Sequence, residues 1–254
     1  MMLTKLNMYR WLNVLGIVGV LVVNYMASAL RLFGRDTGEI SDQYPLQITP
    51  SGYAFSIWMV IYLLLIGFLI YQFRNQEDSR ESVQIIGPWL ILNSLCNMGW
   101  LMLWHTLQLE IAVLVILLLL VTLIVPYVQI RRIVRPTMGQ IWLVKLPYSI
   151  YMGWVSVATI LNIGITLSSN QWSGFGIAPT VWSVIGLIVG ALLAVVISYR
   201  FRDSIYPLVF TWAYIAIALK HPDIQTVWWT GMIIAVLLAA YSLWIFFARN
   251  TARD

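Results

Sequence analysis

Long continuous apolar runs alternate with short polar breaks along the chain. Eight runs stand out, at roughly 11–30, 51–73, 83–104, 110–130, 141–167, 180–199, 205–219 and 226–247. A membrane-spanning helix takes about 20 mostly apolar residues, and these runs reach or approach that length. The seventh is the shortest and opens near Pro207. A barrel would show strands of about ten residues with alternating hydrophobicity instead. The pattern therefore predicts eight spanning helices, each closing its backbone hydrogen bonds within itself, as lipid requires.

Composition agrees. Hydrophobic residues make up 61% of the 254 and charged residues 10%, against about 45–50% and about 25% in a soluble domain. A single soluble core of this size could not hide so much apolar surface, which excludes a soluble globular enzyme and a disordered chain. With eight spans, one side carries Lys5, Arg10, Arg74, Arg80, Arg131, Arg132, Arg135, Lys145, Arg200, Arg202, Arg249 and Arg253. The other carries Arg31, Arg35 and Lys220. Basic loops stay in the cytoplasm, so both termini are expected there, with a bacterial inner (plasma) membrane as the default. The net charge of +5 then reflects topology and anionic headgroups, and nucleic acid is not an expected partner. Lys5, Arg10 and the Ala27-Ser28-Ala29 triplet imitate a signal peptide, but the apolar run is long for one and a retained helix is expected. Cys96 falls mid-span, where a packed apolar thiol is the expected state.

The longest loop, about 31–50, holds Gly34, Gly38, Pro45 and Pro50 with mixed charges; it is either a lid or a plain tether. The outer loop 168–179 is uncharged, and its Trp172 and Phe175 suit the membrane interface. Gly186, Gly190 and Ala194 recur every four residues, a groove for close helix packing.

None of the ten acidic residues lies deep in a run. Proton relays and intramembrane acid–base chemistry depend on buried ionisable groups, so no catalytic residue and no metal site is expected. Lys145 sits about one turn inside a run and can snorkel. His105 and His221 both fall on the outer side; they either share a metal or haem iron or are plain interfacial histidines.

What the runs do contain is aromatic and amide. Trp89, Asn93, Asn97, Trp100 and Trp104 are spaced by four, four, three and four, which places them on one helical stripe. Amides there face protein, ligand or water and not lipid. The stripe is either a pocket wall of flat rings with a few polar handles or a helix-packing seam. The fifth run repeats it with Tyr148, Tyr151, Trp154, Ala158 and Asn162, and the second offers Phe55, Trp58 and Tyr62. Three aromatic faces favour the pocket. Trp182, Trp228, Trp229 and Trp244 lie nearer run ends and read as belt anchors.

These segments resemble the TspO/translocator-protein family, the tryptophan-rich sensory or peripheral benzodiazepine receptor-like proteins. The stretch from Pro50 to Tyr62, with Phe55 and Trp58 inside it, is similar to the family's Pro-x-x-Trp-x-Phe…Trp-x-x-x-Tyr. Asn97 with Trp100 resembles its Asn-x-x-Trp, and Pro147-Tyr148 followed by Trp154, Ala158 and Asn162 resembles its Pro-Tyr…Trp-x-x-x-Ala-x-x-Leu-Asn. Tyr53 stands where the family usually has Trp. The resemblance covers about residues 8–167. It implies an all-α integral membrane protein, with a TspO-like five-helix bundle over 1–167 and about three additional C-terminal transmembrane helices over 168–254.

The resemblance also implies a flat hydrophobic ligand, a tetrapyrrole such as porphyrin or haem, bound between helices beneath the first loop. Matched onto this sequence, the family positions are Trp58, Asn97, Trp100, Trp154 and Ala158. With the residues read directly, the expected ligand-binding set is Phe55, Trp58, Tyr62, Asn93, Asn97, Trp100, Trp104, Tyr151, Trp154, Ala158 and Asn162. The expected role is a sensor or transporter-like protein, with no certain cofactor beyond that ligand. The alternatives are a solute carrier, or a membrane partner or assembly protein using spans six to eight. Some family members have been linked to light-driven porphyrin breakdown; the expectation here is a binding protein and not an enzyme. Expected partners are the hydrophobic small molecule and the lipid bilayer, with a homodimer left open.

Overall fold

A backbone in lipid has no water to bond, so an apolar run must satisfy itself as a helix. Every one of the eight runs does so. The computed structural model describes residues 2–31, 33–44 and 46–251; Pro45, Arg253 and Asp254 lie outside them. The helices are α1 (Met2–Asn24), extended by a π-helical turn (Tyr25–Ala29), α2 (Thr37–Ser41), α3 (Ile57–Tyr71) after a 3₁₀ turn (Gly52–Ser56), and α4 (Glu77–His105). There follow α5 (Leu109–Arg131), α6 (Met138–Gln140), a π-helical turn (Ile141–Lys145), α7 (Leu146–Ser169), α8 (Pro179–Phe201), α9 (Tyr206–Lys220) and α10 (Gln225–Thr251). No strand occurs among the described residues. The protein is a multi-span helical membrane protein.

Seven helical segments are long and apolar enough to cross a membrane, and α9 is shorter. Its 15 residues rise about 22 Å against a hydrocarbon core of about 30 Å. Both its ends are fixed by polar groups. The buried Asp203 carboxylate accepts from the backbone N–H groups of Ile205 (3.0 Å) and Tyr206 (3.4 Å), capping the start. His221, with φ −118° and ψ 54°, ends it.

Contacts divide the chain into two compact units. The first comprises Met1–Thr37 with Ile57–Met152, the second Gly38–Ser56 with Gly153–Asp254. In the first, α4 packs against α1 and α5. Gly87 makes the α1 approach possible: a Cβ there would come 2.8 Å from the Tyr9 side chain. At one end of this unit Thr137 and Gln140 form a reciprocal capping box. The Thr137 hydroxyl also donates to Asp78 (2.7 Å) and the Gln140 amide to Glu81 (2.9 Å), so these carboxylates latch α4 to α6.

Lys145 does not reach water. Its side chain is buried, and the ammonium donates to the Ile133 carbonyl at 3.4 Å. The π-helical turn containing it follows the capped α6, so the helix starts before the apolar run at 141. Cys96 is a buried free thiol.

In the second unit α9 packs between loop residues and α8 and α10. The small-residue stripe of α8 is filled from within the unit. The Tyr214 hydroxyl donates to the Leu187 carbonyl (2.6 Å) directly over Gly190, where a Cβ would collide with it. The stripe is a packing seam between α8 and α9.

Loop 38–56 is strapped down in this unit. Lys220 pairs with Asp42 and reaches the Pro50 carbonyl (3.4 Å), and the His221 Nε2–H donates to the Thr49 carbonyl (3.2 Å). The Ser51 N–H and hydroxyl both donate to the Ala216 carbonyl (3.1 and 3.0 Å). At the opposite end of α9, the Ser242 hydroxyl of α10 donates to the Ser204 carbonyl. Helix α9 therefore runs from the α10 end bearing Ser242 to the end bearing the loop, as a crossing helix must.

Candidate aromatic and amide site

Trp58 lies in the first turn of α3 and is the hub of a ring cluster in the first unit. Tyr62, one turn on, stacks with it at 5.6 Å and 20°. Trp100 of α4 lies 6.1 Å away at 32°, and Trp104 continues the row at 6.1 Å and 27°. Four rings thus stand nearly parallel in sequence Tyr62, Trp58, Trp100, Trp104. Tyr151 of α7 meets Trp58 edge-on at 5.7 Å. Offset and edge-on pairs are the favoured aromatic geometries, and helical spacings of three and four put these rings on facing stripes.

The amides tie this wall to other helices. The Asn97 side-chain N–H donates to the Tyr151 hydroxyl (3.0 Å), and its oxygen accepts from Asn24 of α1 (3.1 Å). Asn97 is 1% exposed, so each bond forms away from water, where an unmade one is expensive. Asn93 instead donates to Thr122 of α5 at 2.9 Å. It serves helix packing, while Asn97 serves packing and stands among the rings. The Tyr148 hydroxyl, one turn from Tyr151 on α7, is buried and makes no hydrogen bond.

The His105 end of α4 is covered by the first part of the long loop. The Trp104 indole N–H donates to the Thr37 carbonyl (3.3 Å), His105 Nε2 bonds the Thr37 hydroxyl (3.2 Å), and Phe33 lies 5.5 Å from the His105 ring. This segment is docked and is not a plain tether.

Four expected site residues belong to the second unit. Phe55 meets Trp154 of α7 edge-on at 5.8 Å. The strap holds Phe55 there: the Trp212 indole donates to the Ala54 carbonyl (3.1 Å), and Trp212 meets Tyr53 edge-on at 5.3 Å. Ala158 is buried, and its carbonyl accepts from Asn162 at 2.8 Å. Asn162 thus uses an amide N–H on its own helix. Beside them Val157, Leu161, Ile48, Gly186 and Tyr214 line an apolar cavity of about 20 Å³, room for about one water molecule.

The eleven expected residues therefore divide. Trp58, Tyr62, Asn93, Asn97, Trp100, Trp104 and Tyr151 belong to the first unit; Phe55, Trp154, Ala158 and Asn162 to the second. Each histidine has its own loop partner, and among the described residues no group of three metal-ligating side chains occurs. His221, outside the spanning helices, is held below its ordinary value by burial, with Lys220 adding to the effect and Asp42 and its carbonyl bond opposing it.

Sequence reasoning passed over Asn24, which orients Asn97, and the buried pair in which Asn13 donates to Gln72 (3.1 Å). An amide inside an apolar run was the available signal for both asparagines. Trp212 gave none, since its role depends on a backbone carbonyl 158 residues away.

The family model described as TSPO-like protein matches residues 10–244. The match therefore continues past α7 through most of α10. No curated protein and no solved structure matches the chain.

Proposed function

The chain belongs to the TSPO-like family, and on that premise we propose that it binds a flat, largely apolar small molecule at the wall built by α3, α4 and the start of α7. It acts there as a sensor or transport-type membrane protein, by binding and not by catalysis. The observation that carries this reading is the row of near-parallel rings Tyr62, Trp58, Trp100 and Trp104 with the Asn97–Tyr151 pair at its side. A planar molecule gains most from such a surface, since flat rings offer large contact area at little conformational cost, and amides fix its orientation.

A tetrapyrrole, porphyrin or haem, is the first ligand to test. Titrating the purified protein with protoporphyrin IX should quench Trp fluorescence saturably. Trp100→Ala should weaken binding about tenfold, an indole's share of a buried contact. Equal affinity in wild type and Trp100→Ala would overturn the assigned wall. The Phe55–Trp154 pair enters the same titration through Trp154→Ala.

The membrane is proposed to be a bacterial inner membrane with both termini in the cytoplasm, supported by the lopsided distribution of Lys and Arg.

A further inference from the structure

We propose that the first unit holds an anionic phospholipid beside the start of α1, with the lipid phosphate between the guanidinium groups of Arg10 and Arg80 and an acyl chain against Trp11 and Phe73. This site is separate from the ring wall and does not depend on it.

Two rings mark its depth. Trp11 opens the first apolar run and Phe73 closes the second. They meet edge-on at 5.4 Å, and Trp11 is 62% exposed. Trp at the end of an apolar run sits where hydrocarbon gives way to headgroups. The charges begin just beyond that level. The Arg10 guanidinium lies 6.0 Å from the centre of the Phe73 ring and donates to the Arg74 carbonyl at 3.5 Å. Arg80 of α4 donates to the Asn75 side-chain oxygen. The two guanidinium groups thus bracket consecutive residues of the turn between α3 and α4. That turn is fixed to α1 from inside: the Gln72 amide donates to the Arg10 carbonyl (3.2 Å), and its oxygen accepts from the buried Asn13 (3.1 Å).

Both groups bond neutral oxygens. Arg10 gives its other terminal nitrogen to Asn7 (3.1 Å), and among the described residues no ion pair engages Arg10 or Arg80. Arg74 turns to the Tyr71 ring instead, at 6.0 Å. A guanidinium carries five donors, so both keep some to give. Two like charges set this close gain most from an anion between them.

The occupant must be negative beyond the Trp11–Phe73 pair and apolar beside it. An acidic peptide or a free phosphate meets only the first demand. A phospholipid of net negative charge meets both, since its phosphate takes guanidinium bonds and its chain covers rings at the hydrocarbon edge. A zwitterionic lipid brings its own cation to the same place and gains less.

The test uses the full chain in phosphatidylcholine nanodiscs. Phosphatidylglycerol with dibrominated chains, or phosphatidylcholine brominated alike, is titrated in. Bromine quenches an indole in contact, and the signal is the part of the quenching that Trp11→Phe abolishes. By that signal wild type should favour phosphatidylglycerol about fivefold, the yield of a single basic residue at a membrane surface. Arg10→Gln with Arg80→Gln should bring the ratio to about one with the thermal unfolding midpoint kept, and Arg80→Gln alone should lower it. Arg200→Gln, at the basic end of α8 in the other unit, should leave it unchanged, and inorganic phosphate should not displace the brominated lipid. Equal quenching by the two lipids in wild type overturns the proposal. So does a ratio unchanged in both the double variant and Arg80→Gln, or one lowered as far by Arg200→Gln. Displacement by inorganic phosphate overturns the lipid as occupant.

Discussion

Asn97 concentrates more consequence than any other single side chain of the site. Its removal strands two partners at once, the Asn24 amide and the Tyr151 hydroxyl. Asn97→Leu should therefore cost about 2 kcal/mol or more of stability, read as a lower thermal unfolding midpoint, and Asn24→Ala should cost less because Asn24 is half-buried. His221 gives a pH-dependent counterpart. Burial lowers its pKa from 6.5, so the docked state favours the neutral ring. Stability from the strap is fully present above about pH 6.5 and is lost as pH falls toward the lowered folded value. Protection from hydrogen exchange over residues 42–54, relative to the intrinsic rate at each pH, should be greater at pH 7.5 than at pH 5.5, and His221→Gln, which keeps an amide donor for Thr49, should flatten the difference. The aromatic stripe was legible because spacing alone places Trp100 and Trp104 together. Asn24 was equally visible as an amide in an apolar run. Which amide meets which ring was not, because partner choice depends on how helices pack across the bundle.

At the scale of elements, hydropathy located the eight long helices and passed over the short α2 within the first loop; the other differences lie at polar ends. Helix α4 begins at Glu77, before the apolar run at 83, because Glu77 and Asp78 in its first turn suit the positive end of the helix dipole. The capping box at Thr137 and Gln140 begins its helix before residue 141, and a Thr-x-x-Gln pattern announces it. The α8–α9 seam gives a direct test. Gly190→Ala should push the Tyr214 hydroxyl off the Leu187 carbonyl and destabilise by about 1–3 kcal/mol. Adding Tyr214→Phe should cost less than the sum of the two single changes, measured by thermal unfolding of all four variants.

For the whole molecule, the distribution of charge and the course of α9 bear on the same topology. Although short, α9 runs between opposite ends of its unit, and eight crossings are the topology proposed from the basic loops. In a Cys96→Ala background, Ser204→Cys should react with an impermeant thiol reagent from the side that labels Asn75→Cys. Asp223→Cys should react from the side that labels Gln171→Cys. Labelling of Ser204→Cys and Asp223→Cys from one side would remove α9 as a crossing. The motifs that could be read end near residue 167, whereas contacts divide the chain inside α7, after Met152. Motifs record residues that recognise something, and compactness records contacts between distant segments, so the two need not divide the chain at the same place.

The strap also imposes an order on biosynthesis. Ser51 bonds the carbonyl of Ala216, 165 residues later. At about 5–20 residues per second, a ribosome needs on the order of ten to thirty seconds to supply that anchor. Through this interval five long helices, α3, α4, α5, α7 and α8, can insert while loop 38–56 stays unseated. Nascent chains arrested after residue 204 should be cut readily within 42–54 by a protease added from the loop's side, and full-length chains should resist. The last helices to emerge thus complete a segment made near the start, and a late truncation would leave its damage in the first loop.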